Sequence, residues 1–314
     1  MNIDLPDKRR PEPSVRSLNA WVRDAVRLTG AQERRVGWML ASTVVIAALQ
    51  RALGGDGDPL FLTKGGVYLE MSLGLEARAT KDIDTLFRGS VNQFTTALSD
   101  VLSVPWGPFT LETTDIEVIT GSKRLVKPRR FDVQLIVRGA VWRKVKVEVS
   151  FPEGMISEQP QFVQTPPIGF FGMDAPDHLA AIAMDYQVAQ KLHACTDPGD
   201  EHWTNDRVRD VIDLKLLHDN FYSSSSPSSL TRACVDLFES RASEDAESGQ
   251  PVRSWPPTIQ ANDVWRDQYP YLAASVGLDL SLEDIIDDVQ SWITEIDTLP
   301  RKSDLGSPFR SSST

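Results

Sequence analysis

The chain has 314 residues, 41% of them hydrophobic, enough to bury a real core in one large domain or two modest ones. It holds no unbroken apolar run of membrane-spanning length, the opening MNIDLPDKRRPEPS lacks the apolar stretch of a secretory signal, and two cysteines, Cys195 and Cys234, are too few for a disulfide framework or a zinc cluster, so a cytoplasmic protein with two buried reduced thiols is expected, with no membrane partner. The net charge of −11 argues against indiscriminate coating of nucleic acid, yet residues 121 to 147 carry nine Lys or Arg against Asp132 alone, so the charge is strongly segregated.

In chain order, Leu18, Trp21, Val22, Ala25 and Val26 recur at helical spacing over residues 17 to 29, with Gly30 as C-cap, and a second helix is predicted over about 32 to 53. GGDGDP breaks the chain, and LFLT at 60 to 63 reads as a short buried strand that delivers Lys64, Gly65 and Gly66 to the start of the helical VYLEMSLGL. Glycines at such a strand-to-helix turn let backbone N–H groups and a helix N-terminus approach an anion. DIDTLF at 82 to 87 is the next strand, with Asp82 and Asp84 on one face because side chains alternate. Residues 131 to 138 and 141 to 151 form a predicted hairpin turning at Gly139 and Ala140, in which Lys144, Lys146, Glu148 and Ser150 share a face. Glu148 is thereby a candidate third carboxylate at the end of a basic strip.

From about residue 174 the pattern turns helical. DAPDHLAAIAMDYQVAQKLHA is predicted as a helix with Asp174 as N-cap and Leu179, Ile182, Tyr186 and Ala189 inward, followed by NDRVRDVIDLKLLHD as another. SSSSPSS at 223 to 229 reads as a linker, and SLEDIIDDVQSWITEIDTL as an amphipathic helix capped by Ser281. The expected organisation is α+β or α/β: a mixed-sheet domain with N-terminal helices over 1–170, a helical domain over 171–300, and a disordered tail over 301–314.

Two carboxylates spaced by two, a third on a neighbouring hairpin and a lysine beside glycines suit two divalent ions bridging a nucleoside triphosphate, one activating a hydroxyl and the other stabilising charge on the phosphorus and the leaving pyrophosphate. Each piece has a plain alternative: Asp82 and Asp84 as the solvent face of an edge strand, KGG as a simple turn. Their order along the chain favours the site.

That ordered set resembles the AbiEii/AbiGii-toxin family of nucleotidyltransferases, which includes the MenT toxins. Lys64, Gly65 and Gly66 match the family's KGG turn; Arg78, Thr80, Asp82 and Asp84 match its R-x-[ST]-x-D-x-D segment. Lys191 matches its helical lysine, and Arg207, Arg209, Asp210 and Asp213 its R-x-K-D-x-x-D helix, with Arg209 where lysine is usual. The resemblance spans roughly residues 60 to 215. It implies a nucleotidyltransferase fold, Mg²⁺ dependence and transfer of a nucleotide from an NTP to an acceptor, which in MenT-like relatives is the 3′ end of tRNA, so that translation stops. A cognate antitoxin partner is implied as well.

On that basis Asp82, Asp84 and Glu148 are expected to bind metal and, with Lys191 and Asp210, to be catalytic. Lys64, Gly65, Gly66, Arg78, Thr80, Arg207 and Arg209 are expected to bind the nucleotide. Asp210 and Asp213 have an alternative role, orienting Arg207 or Lys191 on one helix face. His178 and His193 are expected to be packed or surface residues, since metal-activated attack needs no histidine base. Thr80 is expected to point to the metal side, where a phosphate on it would block the site; the alternative is a turn threonine bonded to its own backbone. Lys123, Arg124, Lys127, Arg129, Arg130, Lys144 and Lys146 form a candidate RNA track, or else a solvated strand face protecting an edge. Two rival functions remain: the same chemistry on a small molecule or a protein hydroxyl, and a silent RNA-binding or regulatory module on the same fold.

Overall fold

The computed structural model describes residues 5–74, 79–221 and 227–298. Helix α1 (Val15–Thr29) starts at a reciprocal cap in which the Ser17 hydroxyl accepts from the Ser14 N–H and the Ser14 hydroxyl from the Ser17 N–H. It ends at Gly30, whose φ of 70° turns its N–H back to the Val26 carbonyl. Helix α2 (Glu33–Leu49) is buried on nearly every side from Val36 onward, because α1 covers one flank and the sheet another. It stops short of the predicted residue 53.

Strand β1 (Phe61–Lys64) includes Lys64 itself and runs straight into α3 (Gly65–Leu73); β2 (Asp82–Phe87) follows, then α4 (Val91–Ser103), β3 (Thr110–Thr113) and β4 (Glu117–Val118). The hairpin is β5 (Arg129–Val137) and β6 (Ala140–Ser150), joined by Arg138 and Gly139, both at positive φ. The turn thus falls one residue earlier than predicted, since a two-residue loop with right-handed strand twist needs both central residues in the left-handed region. After β7 (Gln161–Gln164) and a short 3₁₀ turn comes β8 (His178–Ala181).

Strand β8 corrects the expectation of one helix from residue 174: the chain is extended through Ala181, and α5 begins at Met184 and ends at Cys195. Distant partners impose this. The Gln50 side chain donates to the Ala180 carbonyl at 2.7 Å and accepts from its N–H at 2.8 Å, while the Ile182 N–H donates to the Thr63 carbonyl at 3.0 Å.

Among the described residues the sheet has the order β3-β5-β6-β2-β1-β8-β7, with β4 beside β5. It is mixed: β2 is antiparallel to β1 and parallel to β6. Its register aligns Lys64, Asp84, Glu148 and Arg130 side by side across β1, β2, β6 and β5. One pleat further along, Asp82, Lys146 and Asp132 form a second row. Period-two alternation sends Ile83, Val145, Val147 and Val149 to the opposite face, into a core shared with α1, α2 and α4.

The remaining helices are α6 (Val208–Phe221), α7 (Pro227–Glu247), α8 (Asp263–Ser275) and α9 (Leu282–Thr298), the last capped by the Ser281 hydroxyl as predicted. With α5 they enclose a second core around Trp265, Phe238 and Trp292. Helix α3 joins the two, placing Val67 in the first core and Tyr68, Leu69 and Leu73 in the second. The KGG turn is therefore anchored between sheet and helices. Of the predicted linker, residues 223–226 lie outside the described residues, as do Arg78 and the tail 301–314, while Pro227 already opens α7.

Candidate active site

A cavity of about 410 Å³ opens where the rim of the sheet faces α5, α6 and α7, and its wall includes Lys64, Gly65, Gly66, Asp84, Glu148, Lys191, Arg207 and Asp210. Residues separated by almost 150 positions in sequence are thus brought to one hollow. Gly65 has a φ of +66°, a conformation open to glycine and costly for side chains, and its N–H donates to Gln187 Oε1 at 2.9 Å. Asp84 lies directly opposite Lys64 on one side and Glu148 on the other. Burial raises the Asp84 carboxyl above its ordinary value; Lys64 and Lys191 oppose the shift, whereas the charges of Glu148 and Asp82 add to it. Lys64 is pushed below its ordinary value, first by burial, against the pull of Asp84 and Glu153.

Helix α5 is the spine of the site. Gln187, Gln190, Lys191 and Ala194, one stripe at helical spacing, all line the cavity. Gln187 holds the KGG turn, Gln190 donates to Glu153 at 2.9 Å, and the Lys191 ammonium donates to Asp210 at 2.8 Å and Asp213 at 2.7 Å. Asp213 is fully buried, so this cation-carboxylate cluster fixes α5 against α6.

Sequence reasoning missed Gln187, Gln190, Glu153 and Arg241. Glutamines on a helix carry no motif, and Glu153 and Arg241 are marked only by each other, 88 residues apart. His193, as expected, is packed: its ring lies tilted against that of Phe238 at 4.8 Å and contacts Arg253, and burial drives its pKa far down. His178 is exposed on β8, and Cys195 and Cys234 are buried free thiols.

The nucleotidyl transferase AbiEii toxin model, of type IV toxin–antitoxin systems, matches residues 47–294. The chain belongs to this AbiEii family. Solved structures similar to it include MenT4, the nucleotidyltransferase toxin Rv2826c from Mycobacterium tuberculosis H37Rv, at 15% identity over 88% of this chain and 97% of that one with a TM-score of 0.47, and JHP933 from Helicobacter pylori, at 15% identity over 82% and 92% with a TM-score of 0.39. No curated protein matches the sequence. Among the described residues of this AbiEii-family chain, no helix is long and apolar enough to cross a membrane.

The donor types here fit the divalent cation that the sequence leads one to expect: Asp84 and Glu148 are carboxylates on adjacent strands, with Asp82 on the same face, oxygen donors of the kind a hard cation takes. Their oxygens are not gathered on one point among the described residues. Instead Glu148 accepts from Arg130 Nε at 2.8 Å, and Asp82 lies 3.7 Å from Lys146 Nζ.

The remaining predicted residues spread around a wider basin that adjoins the cavity. Asp82, Thr80, Arg130 and Arg209 line the basin and not the inner cavity, and Arg207 reaches both, 3.8 Å from Asp210. The Thr80 hydroxyl donates to the Asp82 carbonyl at 3.3 Å, the turn interaction weighed as its alternative role. The basic residues do not form one open strip. Lys144 pairs with Asp132 at 3.3 Å; Lys123 lies 3.7 Å from Asp200; Lys127 donates to the Ser122 carbonyl; Arg129 lies over the Phe151 ring; and Arg124 turns inward to Glu153 and Glu244.

Proposed function

We propose that this AbiEii-family toxin transfers a nucleotide from an NTP to the 3′ end of tRNA in the cytoplasm, with Mg²⁺ as cofactor, that the blocked tRNA halts translation, and that a cognate antitoxin restrains the reaction. The observation that carries the reading is the meeting of Lys64, Asp84, Glu148, Lys191 and Asp210 around one cavity at the start of α3. In the reaction the acceptor hydroxyl oxygen bonds to the α-phosphorus, the bond from that phosphorus to the α–β bridging oxygen breaks, pyrophosphate leaves with the electron pair, and the hydroxyl proton passes to water. When bound, Mg²⁺ supplies charge neutralisation for the phosphates and acidifies the attacking hydroxyl.

The chain's own residues do the positioning. Asp84 and Glu148 would hold the cation, with Asp82 on the same face as a further carboxylate. Gly66 and the start of α3 present backbone N–H groups to the phosphates, and Lys64 offers a partly desolvated ammonium beside them. Lys191 fixes Asp210 and Asp213, so that α6 carries Arg207 to the cavity mouth. Most of the rate gain in such a transfer comes from this alignment and charge stabilisation.

A small-molecule or protein acceptor is the second reading, favoured by one observation: Lys144, Lys146 and Arg130 each sit in an ion pair with a strand neighbour. Incubation of the purified protein with total RNA and each α-labelled NTP separates the two. Label on the tRNA band supports the proposal, and its absence with all four NTPs in the presence of Mg²⁺ overturns it.

A further inference from the structure

Glu153, three residues beyond β6, is only 8% exposed yet binds side chains from three other segments. From α7, Arg241 donates Nε to Oε2 at 2.9 Å and Nη2 to Oε1 at 2.6 Å. Arg124, on the loop before β5, places Nη1 3.1 Å from Oε2, and Gln190 of α5 donates to Oε1 at 2.9 Å. All four residues line the cavity that holds Lys64 and Asp84.

Stability alone is a poor reason for such a cluster, because a buried ion pair is often worth no more than apolar residues of the same shape. Its place in the cavity wall points elsewhere. Arg241 and Arg124 both meet Glu153, Arg124 is shared with Glu244 at 3.0 Å, and Lys64 lines the same cavity wall. Three cations from β1, the loop before β5 and α7 therefore line one small hollow. Glu153 takes the Nε and Nη2 edge of Arg241, and Nη1 lies outside that pair.

We propose that Glu153 is a positioning residue that sets the forks of Arg241 and Arg124 on the cavity wall beside Lys64, where they grip the phosphate chain of the incoming nucleotide and the pyrophosphate that leaves. The inference rests on the nucleotidyl-transfer reading and extends it to residues outside the KGG, DID and RVRDVID segments. A planar fork suits neighbouring phosphate oxygens in a way that a lysine point charge does not. Glu153 also ties α5, α7 and the loop before β5 to one point, so disturbing it moves both arginines together.

The test uses inorganic tripolyphosphate, which has no base or sugar, titrated calorimetrically into the full chain with excess Mg²⁺. Arg241→Lys keeps the charge and removes the fork; Glu153→Gln keeps one acceptor and removes the bidentate hold. Each is expected to raise the tripolyphosphate Kd and the NTP KM together, by about tenfold, with kcat within about threefold of the parent. A purely structural role would lower Tm and leave Kd where it was. A folded Arg241→Lys protein whose Kd stays within twofold overturns the grip, and it carries the decision if Glu153→Gln does not fold. Labelling of tRNA by the unaltered protein alongside an unchanged Kd in Arg241→Lys removes the grip and leaves the transferase reading standing. Failure of the unaltered protein to bind any NTP removes both.

Discussion

Gly65 and Asp84 touch where no methyl group fits: a Cβ on Gly65 would lie 2.6 Å from Asp84 Oδ2. The same glycine has a φ of +66° and donates its N–H to Gln187. One position thus serves turn conformation, carboxylate placement and the link to α5. Gly65→Ala combines left-handed strain of about 1–2 kcal/mol with displacement of Asp84. Nucleotide transfer is expected to fall at least a hundredfold while the protein still melts cooperatively; near-parental transfer by the alanine variant would show that Asp84 need not stay where it is.

Asp82 and Asp84 share a face but not an environment. Asp84 faces Lys64 inside the cavity, whereas Asp82 sits in the basin beside Lys146. Asp84→Asn is expected to reduce transfer by several orders of magnitude and to abolish Mn²⁺ binding seen by electron paramagnetic resonance. Asp82→Asn should also lose most transfer but retain measurable Mn²⁺ affinity, since Asp84 and Glu148, directly opposite each other on adjacent strands, both remain. Full activity in either variant sinks the metal assignment for that residue.

How legible this site was depended on how local each signal is. Alternation alone put Asp82 with Asp84 and Glu148 with Lys146, and chain order placed the KGG turn before them. Strand pairing then had only to bring β2 beside β1 and β6. The segment 178–181 was misread because LAAIA fits a helix as well as a buried strand; its assignment is decided by Thr63 and Gln50, more than a hundred residues earlier. Glu153 and Arg241 were illegible for the same reason: a lone acid after a strand and a lone arginine in SRASED gain meaning only when α7 packs on α5.

Stability measurements can separate the pairing of Lys191 with α6 from the role in NTP use proposed for it. Its side chain is 7% exposed and binds Asp210 and Asp213. Lys191→Ala removes the cation from two buried carboxylates and is expected to cost about 3–5 kcal/mol, in addition to severe loss of NTP use. Combining Lys191→Met with Asp213→Asn should recover much of the urea midpoint without restoring transfer. Recovery of transfer along with stability would make Lys191 a purely structural cation.

Acid unfolding reports on Glu153. Burial works to raise its pKa, but Arg241, Arg124 and Gln190 outweigh it and hold the carboxyl at about 2, against an ordinary 4.5. A carboxylate whose folded value is depressed adds stability above its unfolded pKa and loses it as pH falls through the folded one. The contribution is therefore complete above about pH 4.5 and fades toward pH 2. Urea melts should show Glu153→Gln well below the parent at pH 7 and converging on it across that window. A stability gap that does not shrink with acid would contradict the pairing.

Lys144 and Lys146 test whether the hairpin guides RNA. Both are about half exposed, and their partners Asp132 and Asp82 lie 3.3 and 3.7 Å away. Exposed pairs of this kind are worth about 0–1 kcal/mol, so a phosphate can displace the carboxylate at little cost, and release of Asp82 from Lys146 would turn it toward Asp84. RNA binding and metal-site assembly would then be coupled through one lysine. Replacing both lysines with Ala is expected to raise the KM for tRNA, leave that for NTP nearly unchanged, and flatten log affinity against log salt by roughly one to two units. The single variants should divide the effect unequally. Lys144→Ala changes only the salt slope and the tRNA KM, whereas Lys146→Ala also tightens Mn²⁺ binding, because Asp82 loses its competing cation. An unchanged salt slope with an unchanged tRNA KM removes the hairpin from the RNA path and shifts the weight to a small-molecule or protein acceptor.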